Sequence, residues 1–221
     1  MRPSQSHQVF DLLALARQVA NHAYGLGAAH AQSSQRPVVD HLGAALADCV
    51  LQAGLNYQTV VRGRVERIRR VFPEAATLAG TTQIVAKGAV ADFLMWKHPE
   101  KIGRFARLVA VMERNRVENV RYLQARLLRE DFKAGLLAIS GIGPKTVDYL
   151  SCLVGIDCVA VDRHIKLFAK SAGVQIDDYQ GLKLVVSYAA DLLGIRRRDF
   201  DSWIWRVVSG NAGAGLQYRL L

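Results

Sequence analysis

The spacing of the hydrophobic residues is helical along nearly the whole chain. Val61, Val65, Ile68 and Phe72 lie at i, i+4, i+7 and i+11, the pattern of one buried helix face, and Pro73 ends it. Similar patterns begin near residues 10, 39, 102, 120, 145, 163, 181 and 200. No segment alternates apolar and polar residues long enough to indicate a strand. The sequence therefore predicts an all-α fold of about ten helices.

The first helix is expected within the N-terminal 27 residues. Its amphipathic pattern is marked by Phe10, Leu13, Ala14, Arg17 and Ala20. The glycines at positions 25 and 27 are expected to end it, because glycine favours helix C-termini. The polar stretch Gln32–Pro37 then indicates a loop.

The charge of the chain favours a polyanionic partner. The net charge is +10 and the pI is near 9.9, and phosphates attract such a surplus. Arginines cluster on predicted helices within residues 62–70, 114–129 and 196–198. Each cluster alone is explained by a solvated helix face, and arginine-rich codon usage would raise the charge of the whole chain. Three clusters in one small protein favour nucleic acid over those explanations.

The cysteines and the apolar runs bear on the cellular compartment. The three cysteines, Cys49, Cys152 and Cys158, fit neither a disulfide framework nor a zinc site, which favours a reduced intracellular protein. The apolar stretch Leu12–Ala20 is short and contains Arg17, unlike a signal peptide. No run approaches the ~20 apolar residues of a membrane span. We expect a cytoplasmic protein, nucleoid-associated in a bacterium or archaeon, with no membrane partner.

The segment from residue 136 to 150, LLAISGIGPKTVDYL, places a glycine turn between two apolar helical runs. Gly141 and Gly143 allow positive φ and remove the Cβ atoms that would keep a phosphate away. Proline suits the first position of the helix that follows, at Pro144 or Lys145. The free amides of that helix start can hold a phosphate without reading a base. The segment therefore predicts a DNA-binding hairpin.

A second segment, V-D-R-H, follows the first at residues 161–164. Asp162 precedes the amphipathic pattern of Ile165, Phe168 and Ala169, so it can cap a helix. Considered separately, Asp162 is equally well explained as only a helix cap. Lys145 is equally well explained as only a surface lysine at a helix start.

Together the two segments resemble the helix-hairpin-helix–GPD superfamily of DNA base-excision enzymes, which includes endonuclease III-like and 8-oxoguanine glycosylase-like branches. The family pattern L-P-G-[VI]-G-x-K, followed after a short helix by V-D-x-H, reads here I-S-G-I-G-P-K and V-D-R-H. The resemblance is strongest over about residues 118–172. It implies two helical subdomains flanking a DNA-binding cleft. One would be residues 41–157, with the helix-hairpin-helix at about 136–154, and the other residues 1–40 plus 158–221.

The resemblance also implies roles for individual residues. Lys145 matches the nucleophile of the bifunctional glycosylase/lyases, and Asp162 matches the catalytic aspartate. The implied DNA contacts are Gly141, Ile142, Gly143, Lys145, Thr146 and Arg163. Main-chain carbonyls of Leu137, Ile139 and Ile142 fall where the family's hairpin can hold Na⁺ or K⁺, and no cofactor is required. The implied partner is double-stranded DNA with a damaged base or an abasic site, bound by a monomer.

The chain also departs from the family pattern. No cysteine follows Cys158, so the iron–sulfur cluster of endonuclease III-like members is expected to be absent. Ser140 replaces the usual hairpin proline. Gly54 stands where those members place the glutamine that fills the gap left by the extruded base. The remaining candidates to fill that gap or line the pocket are Gln52, Leu55, Asn56, Tyr57 and Trp203, although a core or interface position is favoured for the tryptophan. A residue of another loop is the alternative.

The implied chemistry is base removal followed by strand cleavage. The base leaves through a transition state with positive charge on the sugar, which a carboxylate stabilises. A neutral lysine then forms a Schiff base and β-elimination follows, so the lysine pKa has to fall. Two alternatives stay open: a monofunctional glycosylase in which Lys145 contacts phosphate, and a non-catalytic hairpin protein. The latter has no need of a carboxylate facing DNA. RNA binding is a third, remote alternative.

Overall fold

The computed structural model describes residues 5–28 and 37–210. Within those residues it is helical and contains no β-strand, so the all-α prediction is confirmed. It has twelve α-helices in that part of the chain, in place of about ten. The predicted loop from Gln32 lies outside the described residues until Pro37. In chain order the helices are α1 (Gln5–Gly25), α2 (Leu42–Leu51), α3 (Arg62–Val71), α4 (Leu78–Ala86), α5 (Val90–Leu94), α6 (Pro99–Arg114), α7 (Val120–Arg126), α8 (Glu130–Leu137), α9 (Pro144–Leu153), α10 (Arg163–Ser171), α11 (Tyr179–Leu192) and α12 (Arg197–Gly210).

The helices form two compact units. One unit is Pro37–Ile156 and contains α2 to α9. The other joins the described residues of 1–36 to those of 157–221 and contains α1, α10, α11 and α12. Each unit has a hydrophobic core of its own.

Helix α2 is the centre of the first unit. All ten of its residues, LGAALADCVL, are buried, and it packs against α3, α6 and α9. Its small residues let neighbouring helices approach closely, since Gly43 lies against Ala75 and Phe93. The helix begins at a histidine cap, because His41 Nδ1 accepts a hydrogen bond from the Ala44 amide at 3.1 Å.

A glycine fixes the approach of α4 to the 3₁₀ turn Pro73–Ala76. A Cβ at Gly80 would overlap the main chain of Glu74, so only glycine fits there. The hydroxyl of Thr77 caps the same helix by accepting from the Gly80 amide at 3.3 Å. Thr81 adds a buried hydrogen bond to the Ala75 carbonyl at 3.0 Å. These contacts join the turn to α4.

The core of the second unit is aromatic at its centre. Phe200 stacks on Trp203 with ring centroids 5.8 Å apart, and Phe168 meets the same tryptophan edge-on at 5.7 Å. In this unit α1 packs on α11 and α10 packs on α12. The amphipathic pattern assigned to α1 was wrong in part, because Ala14 and Arg17 are exposed. From residue 11 onward, the buried residues of α1 are Ala16, Val19, Ala20 and Ala23.

None of the helices in residues 5–28 and 37–210 combines the length and the apolar character that crossing a membrane requires.

Candidate functional site

The turn between α8 and α9 is built on Gly141. The Ile142 amide donates to the Ile139 carbonyl at 2.9 Å and closes the turn. Gly141 has φ +82°, the left-handed region that favours glycine. A Cβ at this position would also overlap the guanidinium of Arg104, which donates to the Ser140 carbonyl at 3.1 Å. The backbone conformation therefore favours glycine here, and a side chain would also displace the guanidinium of Arg104.

The start of α9 is accessible from this turn. Gly143 is the N-cap residue and supplies no side-chain cap, and Pro144 takes the first helical position. No atom lies within 4 Å of the place where a Gly143 Cβ would stand. The positive end of the helix dipole is therefore open to an anion.

A shallow basic groove of about 790 Å³ adjoins the turn. Arg107 and Arg114 of α6 line one side of it, together with Glu100. The other side is formed by small residues before the turn, including Ala138 and Ser140. Both arginines are exposed. The two guanidinium groups are the positive charges of this lining, and they can pair with phosphate groups.

Lys145 lies in the first turn of α9, where it is half-buried. Its Nζ donates a hydrogen bond to Oε1 of Gln52, which follows the end of α2. The same nitrogen lies 5.5 Å from the ring centroid of Tyr149, within reach of a cation–π interaction. The Gln52 Nε2 atom is buried and has no hydrogen-bond partner among the described residues.

Asp48 lies beneath this lysine in the middle of α2 and is 1% exposed. The Tyr149 hydroxyl donates to Asp48 Oδ1 at 2.9 Å, and the Tyr57 hydroxyl donates to Oδ2 at 3.3 Å. Burial, and after it the charge of Asp48, raise the pKa of the neighbouring Cys49 thiol to about 12. The charges of Lys145 and Arg104 oppose that shift, so all three charges act on one buried region.

Lys101 of α6 holds the chain where α2 ends. Its Nζ donates to the carbonyls of Val50 at 2.9 Å and Ala53 at 2.8 Å, on either side of Gln52. Burial lowers the pKa of Lys101, and the charge of Arg104 lowers it further. The contacts of Lys101 fix the main chain that carries Gln52.

Asp162 belongs to the other unit and caps α10. Its Oδ1 accepts from the amides of His164 at 2.8 Å and Ile165 at 3.1 Å. His164 Nδ1 donates to Oδ2 at 2.9 Å, and the histidine ring meets Trp205 edge-on at 6.0 Å. The Asp162 side chain is 26% exposed, so it stays accessible while it caps the helix.

The other residues predicted for the site are spread over both units. Asn56 is exposed and caps the single π-helical turn Tyr57–Val61 by accepting from the Thr59 amide at 3.1 Å. Thr146 is 7% exposed and Arg163 is exposed. Trp203 is 8% exposed, and its ring packs in the core of its own unit. The structure thus brings Gln52 to Lys145 by a direct hydrogen bond. Tyr57 is linked to them through Asp48 and Tyr149, two residues that the sequence did not single out.

The turn also carries the carbonyl oxygens named for a monovalent cation, those of Leu137, Ile139 and Ile142. Main-chain carbonyls are ligands that hard cations accept. The Ile139 carbonyl already accepts from Ile142 and keeps its second lone pair. Across the described ranges, no group of three or more His, Cys, Asp or Glu side chains is placed to hold a metal ion.

No protein-family model, curated protein or solved structure matches this chain. A functional assignment therefore depends on the sequence motifs and on the contacts within each unit.

Proposed function

We propose that the protein is a DNA base-excision glycosylase with AP lyase activity, and that Lys145 is its nucleophile. The observation that carries the proposal is the position of Lys145. Lys145 is half-buried and its amine is held by specific contacts, in the first turn of a helix whose start is open to phosphate. A surface lysine with no role would lie in solvent without such contacts.

In this proposal α8, the glycine turn and α9 form a helix-hairpin-helix that binds the DNA backbone. The accessible start of α9 supplies main-chain donors, and the basic groove beside it supplies Arg107 and Arg114. The carbonyls of Leu137, Ile139 and Ile142 would hold Na⁺ or K⁺ and add positive charge beside a phosphate. None of these groups reads a base, so binding to undamaged duplex is sequence-independent.

Asp162 supplies the carboxylate of the reaction. Its role as a cap of α10 is compatible with that, because a carboxylate has about four acceptor sites and the contacts described use three of them. The remaining capacity can stabilise positive charge on the sugar or accept a proton from the attacking amine. The amine nitrogen of Lys145 then bonds to C1′ as the base leaves, and β-elimination of the Schiff base breaks the strand.

A monofunctional glycosylase is the second candidate, and one observation favours it. The Gln52 oxygen and the Tyr149 ring both favour the ammonium form of Lys145. An ammonium group contacts phosphate well and does not attack a sugar. In that case water attacks, and the lysine only binds DNA.

Borohydride trapping on a duplex with one abasic site separates the two candidates. We expect the wild-type protein to form a covalent adduct. Lys145→Gln should abolish the adduct and leave the affinity for DNA within about tenfold, since one phosphate contact contributes little. Lys133→Gln is the matched control, because Lys133 is a lysine of α8 that pairs with Glu130 at the surface, and it should trap normally. Robust trapping by Lys145→Gln would refute the assignment.

A panel of duplexes, each with one lesion, tests base removal. Asp162→Asn should retain the fold and DNA binding, and it should slow base removal by ~10²-fold or more. A monofunctional enzyme would excise bases without trapping and would survive Lys145→Gln. A non-catalytic protein would excise no base and cleave no strand in any form.

A further inference from the structure

Asp48 is a carboxylate in a position where a carboxylate is costly. It lies in the middle of α2, whose ten residues are all buried, and it is 1% exposed. A buried charge persists only where hydrogen bonds and nearby charges compensate for lost hydration. Two tyrosine hydroxyls from different segments donate to it, at 2.9 and 3.3 Å. An alanine or leucine at position 48 would pack better in α2. The presence of an aspartate there therefore indicates a role other than packing.

We infer that Asp48, acting through Tyr149, is a positioning residue for Lys145: it fixes the ring on which the lysine lies and favours the ammonium form of the amine. The inference rests on the proposed function, in which Lys145 is the nucleophile.

The contacts form a continuous path from α2 to the lysine. Tyr149 lies four residues after Lys145 on α9, so the two side chains share one helix face. The Tyr149 hydroxyl is held by Asp48, which prevents the ring from turning away. The Lys145 nitrogen lies 5.5 Å from that ring centroid, and Gln52 accepts from it as well. The ring and the amide therefore define where the amine rests, and both depend on α2.

The charges around Lys145 come from three helices and one turn. Gln52 and the ring face are neutral and favour a cation. Asp48 adds negative charge to the same region, whereas the arginine and lysine of α6 add positive charge. The titratable groups of these elements include Asp48 and Cys49 on α2, Tyr57 on the π-helical turn, Lys101 and Arg104 on α6, and Asp148 and Tyr149 on α9. Tyr149 joins the negative charge of Asp48 to Lys145. Neutralising Asp48 removes that charge, so the amine of Lys145 should lose its proton more easily.

The test is the pH dependence of strand cleavage at an abasic site, measured with enzyme in excess from about pH 6 to about pH 10. Asp48→Asn should move the midpoint of the rate profile to lower pH by about one unit. Asp48→Glu keeps the charge and should restore the midpoint toward that of the wild type. A role in stability alone would lower the rate at every pH and leave the midpoint in place.

Tyr149→Phe tests the ring separately and serves if Asp48→Asn does not fold. It keeps the ring and removes only the hydroxyl that anchors it, so the plateau rate should fall about tenfold through misplacement of the amine. Tyr122→Phe, on an exposed ring of α7, is the matched control and should match the wild type. Wild-type behaviour of Tyr149→Phe, or an unmoved midpoint in folded Asp48→Asn, overturns the inference while the proposed function stands. Absence of cleavage and trapping in the wild type overturns both.

Discussion

The histidine that caps α2 gives a prediction whose magnitude follows from its contacts. His41 is 5% exposed. Its Nδ1 accepts from the Ala44 amide at 3.1 Å, and its Nε2 donates to the Phe72 carbonyl at 3.0 Å. His41→Ala removes a helix cap worth about 1 kcal/mol and leaves a carbonyl unpaired at a cost of about 1 kcal/mol. A cavity adds about 1 kcal/mol more, so we expect about 3 kcal/mol of destabilisation in total.

The same histidine should make stability depend on acid pH. Burial lowers the pKa of His41 from its ordinary value of 6.5, and the Phe72 hydrogen bond partly opposes this. Below pH 6.5 the unfolded chain therefore binds a proton that the folded chain does not. The stability that the neutral His41 contributes is fully present above pH 6.5. It declines as the pH falls toward the pKa of His41 in the folded state. His41→Ala should thus lose less stability on acidification than the wild type does.

Urea unfolding at about pH 8 and about pH 5.5, followed by circular dichroism, measures both effects. His98→Ala is the matched control, because His98 also caps a helix, accepting from the Glu100 amide at 3.4 Å, but is exposed. We expect it to cost under about 1 kcal/mol. The reasoning fails if His41→Ala is no more destabilising than His98→Ala. The expectation is equally wrong if His41→Ala loses as much stability as the wild type when the pH is lowered from about 8 to about 5.5.

Two further predictions concern DNA binding. Gly143→Val places its side chain in open space but replaces an N-cap glycine, so it should cost about 1 kcal/mol of stability or less. The affinity for all duplexes should fall alike, and a loss confined to one sequence, measured by fluorescence anisotropy, would contradict backbone binding. The double variant Arg107→Glu/Arg114→Glu should reduce the slope of log affinity against log salt by about two. The control Arg70→Glu, at an exposed residue of α3, should leave the slope unchanged. Equal slopes in the wild type and both variants would exclude the groove from the interface.

The helical class of the fold could be predicted because the spacing of apolar residues is a local property. The end of α3 at Pro73 follows from the same local chemistry. The face of α1 could not be predicted, since two overlapping apolar stripes compete and only the packing against α11 selects Ala16, Val19 and Ala23. Periodicity indicates that a face is buried, and it does not say which neighbour covers it.

The features of the candidate site are likewise of two kinds: local ones that the sequence indicates, and long-range contacts that it does not. The cap formed by Asp162 and the positive φ of Gly141 are local, and the sequence indicates both. The contact between Asp48 and Tyr149 joins residues about a hundred positions apart, which no spacing rule reaches. A lone aspartate within an apolar helical run was the available signal.

If the glycine turn binds phosphate as proposed, the guanidinium of Arg104 affects how fast the phosphate is released. Arginine tails ordinarily sample many rotamers, and ordering one on binding costs about 0.5–1.5 kcal/mol. Here the tail lies across Gly141 and is tied to the Ser140 carbonyl before any ligand arrives. An anion that settles at this turn meets a donor whose conformational entropy has already been lost during folding. Such preorganisation lengthens the lifetime of a complex more than it speeds its formation.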